Sequence, residues 1–175
     1  SYSGYEKITD PIHLHRRDYN LLSHIFPDGS EGLVISSGVF QPFVDLPFLY
    51  PVEIKEDSYV AKTEFNQYLN NYHTAHTNIY DSLENKMTSL FFGGISQYYY
   101  VDGALHQDDF VPFVNTISGI SRDNSGNLTE FYIPTGMPGY KGSSAEFLPN
   151  YNLTYNHSEI LRETQFEGDT ITIGY

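Results

Sequence analysis

Short apolar runs, each bounded by glycine, proline or polar turn residues, recur along the whole chain. They cover residues 32–40, 87–95, 113–120 and 128–133. Runs of this length with such boundaries favour β-strands, because an ordinary helix needs a longer periodic segment. Helix formers such as alanine are scarce. The sequence therefore predicts an all-β protein with less than about one-tenth helix.

One segment departs from this pattern. Residues 62–73 place four apolar or aromatic side chains at helical spacing: Phe65, Tyr68, Leu69 and Tyr72. The segment is short and rich in asparagine, a poor helix former, so we expect at most one or two helical turns on a connection between strands.

Turn residues between apolar runs predict two hairpins. Residues 98–105 carry Asp102-Gly103 at their centre, a common two-residue hairpin turn. The runs at residues 113–120 and 128–133 flank a polar tip at residues 122–127.

The order of these features repeats. The runs at residues 32–40 and 88–96 both contain a small-residue pair, and a phrase with Asp, Pro and Phe follows each of them, at residues 45–49 and 109–114. The period is roughly 55–80 residues with about four strands per unit, as in the blades of β-propellers. We therefore divide a single β domain, residues 1–175, into approximate repeats at 15–75, 76–145 and an incomplete 146–175.

Several phrases resemble known proteins. Tyr80-Asp81, an apolar strand and Gly93-Gly94 resemble a kelch repeat. The phrases at residues 15–21, 91–99 and 111–114 resemble exported Bacteroidetes proteins in which a kelch-like domain precedes a sorting tail for type IX secretion. The resemblance implies a propeller fragment of about three four-stranded blades in a secreted or cell-surface bacterial protein. It does not imply a particular activity.

An arc of three blades would leave two apolar faces exposed, while closed propellers have about four to eight blades. The chain starts without Met and stops inside a strand-like run, so we expect a piece of a longer chain. The expected partner is the remainder of that chain or a second copy. The alternative architecture is a compact β-sandwich or barrel, which buries its faces within a chain of this length.

Charge and composition exclude several classes of protein. Lys and Arg number 9 against 22 Asp and Glu, for a net charge of −13, which disfavours nucleic acid and anionic lipid as partners. No apolar stretch approaches the roughly 20 residues of a membrane span. The absence of cysteine excludes disulfides, thiolate zinc sites and a cysteine nucleophile.

Two sets of residues are candidates for ligand binding. Arg16 and Arg17 lie in the densest charge cluster, where a salt bridge between blades is the favoured role and a pocket for an anionic ligand the alternative. Tyr98 and Tyr100 alternate along a strand and so share one face. Packing in the core or at the rim is the favoured role, and a platform for a sugar is the alternative.

The sequence offers oxygen ligands for calcium. Asp123, Ser125, Asn127 and Glu130 resemble the start of an EF-hand loop without its full length. The same residues are also common in hairpin tips that bind no metal. His73-x-x-His76 could bind a metal in a turn, although structural histidines are more common in such loops.

No motif typical of a serine nucleophile or a phosphate-binding loop occurs in the sequence. We therefore expect a non-catalytic binding or surface-display module that acts through its loops on a glycan or a surface protein. The alternative is a glycan-active enzyme or its carbohydrate-binding part, which would need a pair of carboxyl groups about 5–10 Å apart in an aromatic cleft.

Overall fold

A computed structural model describes residues 7–162 and 171–175. These residues form eleven β-strands and no helix, which confirms the expected all-β class. No helix that could span a membrane is present among these residues. The predicted third repeat, residues 146–175, falls partly outside the described residues, because it includes residues 163–170.

The first sheet is an antiparallel meander of four strands in sequence order. Its strands are β1 (Asn20–Ile25), β2 (Glu31–Ser36), β3 (Val52–Lys55) and β4 (Ser58–Ala61). The β1–β2 turn closes with a hydrogen bond from the Phe26 amide to the Ser30 carbonyl, 2.8 Å. Side chains of β1 alternate between buried and exposed, so this strand contributes one face to the core.

The second sheet has five strands in the order β10-β9-β6-β5-β11. Its strands are β5 (Ala75–Asp81), β6 (Lys86–Ile95), β9 (Phe113–Arg122), β10 (Leu128–Ile133) and β11 (Ile160–Arg162). The first four form a second antiparallel meander. β11 joins the free edge of β5 in parallel.

Both predicted hairpins are present. β7 (Tyr98–Val101) and β8 (Ala104–Gln107) form a separate two-stranded sheet between β6 and β9. Asp102 and Gly103, at the turn, have φ angles of 50° and 78°, as a hairpin turn with the twist of its strands requires. β9 and β10 flank the polar tip at residues 123–127.

The hydrophobic core lies between the two larger sheets. Leu22 and Val34 from the first sheet pack with Phe91 and Ile120 from the second. No sheet of the described chain closes into a barrel, so the barrel alternative is wrong. The expected four-stranded antiparallel units are observed as two meanders, whereas their arrangement as propeller blades stays a prediction.

The asparagine-rich segment forms no helix. Gln67, Asn70 and Asn71 are fully buried, and their side chains bind backbone or side-chain partners outside the segment. The Asn71 amide donates to the carbonyls of Gly93 at 2.6 Å and Thr116 at 3.1 Å. The expectation of helical turns at residues 62–73 is wrong, because these buried polar bonds need an irregular backbone that reaches both sheets.

Gly93 and Gly94 are buried next to a neighbouring segment. The apolar run before them predicts this close packing, since glycine is common where a strand approaches another backbone. The register of β6 against β9 shifts at this point, and both glycines have positive φ angles, 68° and 95°. A Cβ added to Gly94 would lie 2.6 Å from Thr74 Cβ and 2.8 Å from the Tyr72 carbonyl oxygen. Only glycine therefore fits both the backbone conformation and the space.

Replacing Gly94 with valine should lower the free energy of unfolding by about 2 kcal/mol, because overpacking adds to backbone strain. Gly103→Val is the matched control, since Gly103 also has a positive φ, 78°, but nothing lies within 4 Å of an added Cβ. Urea denaturation of both variants separates the loss of stability caused by overpacking from the loss caused by backbone strain. Equal losses of stability would show that crowding at Gly94 contributes nothing.

Candidate functional site

Arg16 lies inside the protein. Its Nε donates to the His13 carbonyl at 2.8 Å, and its Nη1 donates to the carbonyls of Ser37 and Tyr50, both at 2.9 Å. The guanidinium carbon lies 3.9 Å from the centre of the Phe48 ring. Burial lowers the pKa of Arg16 to about 10. Within the described residues its partners are carbonyls and aromatic rings rather than a carboxylate. Arg16 therefore links the three loop segments that contain His13, Ser37 and Tyr50.

Arg17 faces the opposite way and is exposed. Its backbone exchanges two hydrogen bonds with Val39, and its guanidinium lies 5.7 Å from the centre of the Phe40 ring. Of the two predicted arginines, only Arg17 is accessible to a ligand in solution.

Tyr98 and Tyr100 contact different neighbours. Tyr98 packs edge-on against Tyr68, with ring centres 5.2 Å apart. Tyr100 stacks face to face on Tyr132 of β10, with ring centres 3.7 Å apart and planes within 9° of parallel. Tyr98 and Tyr100 therefore do not form one platform, and the partner of Tyr100 lies on β10 of the second sheet.

An open groove of about 360 Å³ lies beside the stacked rings, between the β7–β8 hairpin and the second sheet. We call it the tyrosine groove. The lining residues that matter most are Tyr100, Asp102, Asn115, Tyr132 and Tyr140. Tyr140 is 70% exposed, and the Tyr100 amide donates to Thr116 Oγ1 at 3.1 Å. That bond joins the hairpin to β9 beside the groove.

A second pocket of about 300 Å³ shares Tyr100 and Tyr132 with the groove. It also contains Glu130, whose Oε1 accepts the Leu69 amide hydrogen at 2.7 Å. Burial raises the pKa of Glu130 to about 7, although hydrogen bonds from the Leu69 and Tyr68 amides oppose the shift. A carboxyl group with this pKa changes between its protonated and ionised forms near neutral pH.

The other predicted calcium ligands lie in the β9–β10 tip. Asp123 Oδ1 accepts the amides of Ser125 and Asn127 at 2.9 and 2.8 Å, and Oδ2 accepts the Asn127 side chain at 2.8 Å. These bonds, that of the Asn127 side chain first, lower the pKa of Asp123. Glu130 instead bonds to Leu69, and no group of three His, Asp or Glu side chains that could hold a metal is found in residues 7–162 and 171–175. Calcium binding stays a prediction.

Sequence reasoning missed Tyr132 and Tyr140. The alternation along β10 places Glu130 and Tyr132 on one face, a signal that was available in the sequence. Tyr140 follows in an irregular segment whose path no local pattern specifies. Comparison of the chain with protein-family models, with curated proteins and with solved structures finds no match.

Proposed function

We propose that this domain is a binding module for a neutral glycan and that the tyrosine groove is its binding site. The observation that carries the proposal is the meeting of three tyrosine rings around one open groove of about 360 Å³. Aromatic faces bury the C–H surface of a sugar ring, while tyrosine hydroxyl groups at the ring edges bind its hydroxyls.

Polar groups of the groove are available to a ligand. The hydroxyl groups of Tyr100, Tyr132 and Tyr140 and the amide of Asn115 make no hydrogen bond to any residue that the structure describes. Sugar hydroxyls both donate and accept, so they match these groups. The net charge of −13 favours a neutral ligand over an anionic one.

We further propose that the two meanders are neighbouring blades of a kelch-like propeller in a secreted or cell-surface bacterial protein. The same strand order in both meanders supports this arrangement, as do the phrases at residues 15–21 and 91–99. The remainder of the chain or a second copy would then cover the open side of the arc.

A glycan-active enzyme is the second candidate function, and Glu130 is the observation that favours it. Its raised pKa, about 7, suits a general acid. Glycoside hydrolysis usually requires a second carboxyl group, and among the described residues Glu130 is the only carboxyl group that lines its pocket. The binding module is therefore the better supported function.

Replacing Tyr140 with alanine should weaken glycan binding by about tenfold or more, because an exposed aromatic contact is lost. A screen of neutral oligosaccharides on the purified domain would identify the ligand, and calorimetry would compare the variants. Tyr151→Ala is the matched control, since Tyr151 is 78% exposed and does not line the groove. Equal affinities of the two variants, or no binding of any neutral glycan, would contradict the proposal.

A further inference from the structure

Three side chains that are far apart in the sequence meet on the surface near the start of β5. Ser144 Oγ lies 2.6 Å from His73 Nε2. On the other side of the ring, His73 Nδ1 lies 4.0 Å from Asp18 Oδ1. A serine, a histidine and an aspartate follow one another here in the order of an acyl-transfer triad, with a hydrogen bond between the first two and a longer contact between the last two.

The backbone holds the three residues in this order. The His73 amide donates to the Asp18 carbonyl at 2.9 Å, and the Ser144 amide donates to the His73 carbonyl at 2.8 Å. Next to them, Thr74 pairs with Ser143 in an isolated bridge, and the Thr74 amide donates to Asn20 Oδ1 at 3.3 Å. The alignment therefore does not depend on the side chains alone.

All three residues also have left-handed backbone conformations. Their φ angles are 55° at Asp18, 51° at His73 and 57° at Ser144. Ten non-glycine residues of the described chain have a positive φ, and three of them meet here. Aspartate and histidine adopt this conformation more readily than most residues, whereas it is less common for serine. A strained backbone at the serine of many hydrolases likewise presents the hydroxyl to the substrate.

We infer that Ser144 is a nucleophile for acyl transfer from small, activated esters, with His73 as its general base and Asp18 as a positioning residue. This activity goes beyond glycan binding and uses none of the residues that line the tyrosine groove. The three residues are exposed, so a small ester reaches Ser144 without any opening of the fold.

The reaction has two steps, acylation of Ser144 and hydrolysis of the acyl-serine. Ser144 Oγ attacks the ester carbonyl carbon and its proton passes to His73 Nε2; the bond to the leaving alcohol then breaks, and the alcohol takes that proton. Water next attacks the acyl-serine, gives one proton to His73 and releases the carboxylic acid. The proton on His73 returns to Ser144 Oγ.

The surroundings of Ser144 limit the substrates to reactive esters. The amide after the serine, that of Ala145, donates to the Gly142 carbonyl at 3.1 Å, so it closes the local turn. Loss of one oxyanion-binding amide typically reduces the rate by about 10²–10³-fold. We therefore expect a burst of acylation followed by slow turnover with an aryl ester.

The test uses the purified 175-residue chain and two probes, a fluorophosphonate and p-nitrophenyl acetate. We expect one phosphonyl adduct per chain, mapped to Ser144 by mass spectrometry, and a p-nitrophenol burst of about one equivalent. Ser144→Gly should abolish both, and because glycine suits the positive φ of 57° this variant should still fold. His73→Gln should slow labelling by about a hundredfold.

Ser143→Ala is the matched control, because it removes the neighbouring hydroxyl and should leave labelling unchanged. Asp18→Asn keeps a residue that tolerates a positive φ; it should slow the burst without changing its size, the labelled residue or the unfolding midpoint. Adducts scattered over other serines, no adduct at all, or a burst retained by Ser144→Gly would overturn the inference. Each of these results would assign the Ser144–His73 bond to structure alone.

Discussion

Replacement of Phe91 with alanine should lower the free energy of unfolding by about 3–5 kcal/mol, the largest loss that we expect from a single substitution in this chain. Phe91 is fully buried, with 0% exposure, and belongs to the core cluster that joins the two larger sheets. Its removal takes away apolar burial and leaves a cavity that neighbouring strands close only partly.

Urea denaturation followed by circular dichroism measures this effect. Phe110→Ala is the matched control, since Phe110 is 96% exposed, and it should change stability by less than about 0.5 kcal/mol. Phe91→Leu, with an expected loss of about 1 kcal/mol, keeps the series measurable if the alanine variant does not fold. Similar losses at Phe91 and Phe110 would show that the core lies elsewhere.

Glu130→Gln should stabilise the protein above pH 7 by up to about 3 kcal/mol and should have little effect near pH 4. Burial raises the pKa of Glu130 from 4.5 to about 7, so the folded state holds a proton that the unfolded state has lost. The stability that this proton contributes is complete below pH 4.5, falls as the pH rises and is lost above the folded pKa, about 7. Glutamine stays neutral, and its Oε1 can still accept the Leu69 amide.

The difference between the wild type and Glu130→Gln is the quantity to measure, from denaturation curves between pH 4 and 8.5. Burial also lowers the pKa of His24 to about 3, and this group acts in the opposite sense, since stability falls as the pH drops below its ordinary value, 6.5. His24 is present in both proteins, so its effect cancels. A difference that does not change with pH would mean that Glu130 has the same pKa in the folded and unfolded states.

Local physics accounts for what was predicted correctly from the sequence. The length of the apolar runs and their glycine, proline and polar boundaries indicated the strands, because an ordinary helix needs a longer periodic segment. Asp102-Gly103 and the tip at residues 122–127 indicated the hairpins, because these residues adopt the turn conformations at low cost. Gly93 and Gly94 were expected to lie against a neighbour, since glycine is common where two backbones approach closely.

The two copies of the Asp–Pro–Phe phrase mark the limit of such reasoning. Phe48 in the first copy is fully buried beneath Arg16, while Phe113 in the second is 58% exposed. The same residues therefore serve different roles, because burial depends on which segment packs above them.

Long-range packing alone decided the candidate sites. Tyr132 meets Tyr100, and Ser144 meets His73 and Asp18, through segments that are distant in the sequence. The sequence by itself determined the strands, the turns and the all-β class, since each depends on a few adjacent residues. The tertiary structure decided the partners of Arg16, the tyrosine groove and the serine–histidine–aspartate cluster, because contacts between distant segments follow from how whole sheets and loops pack.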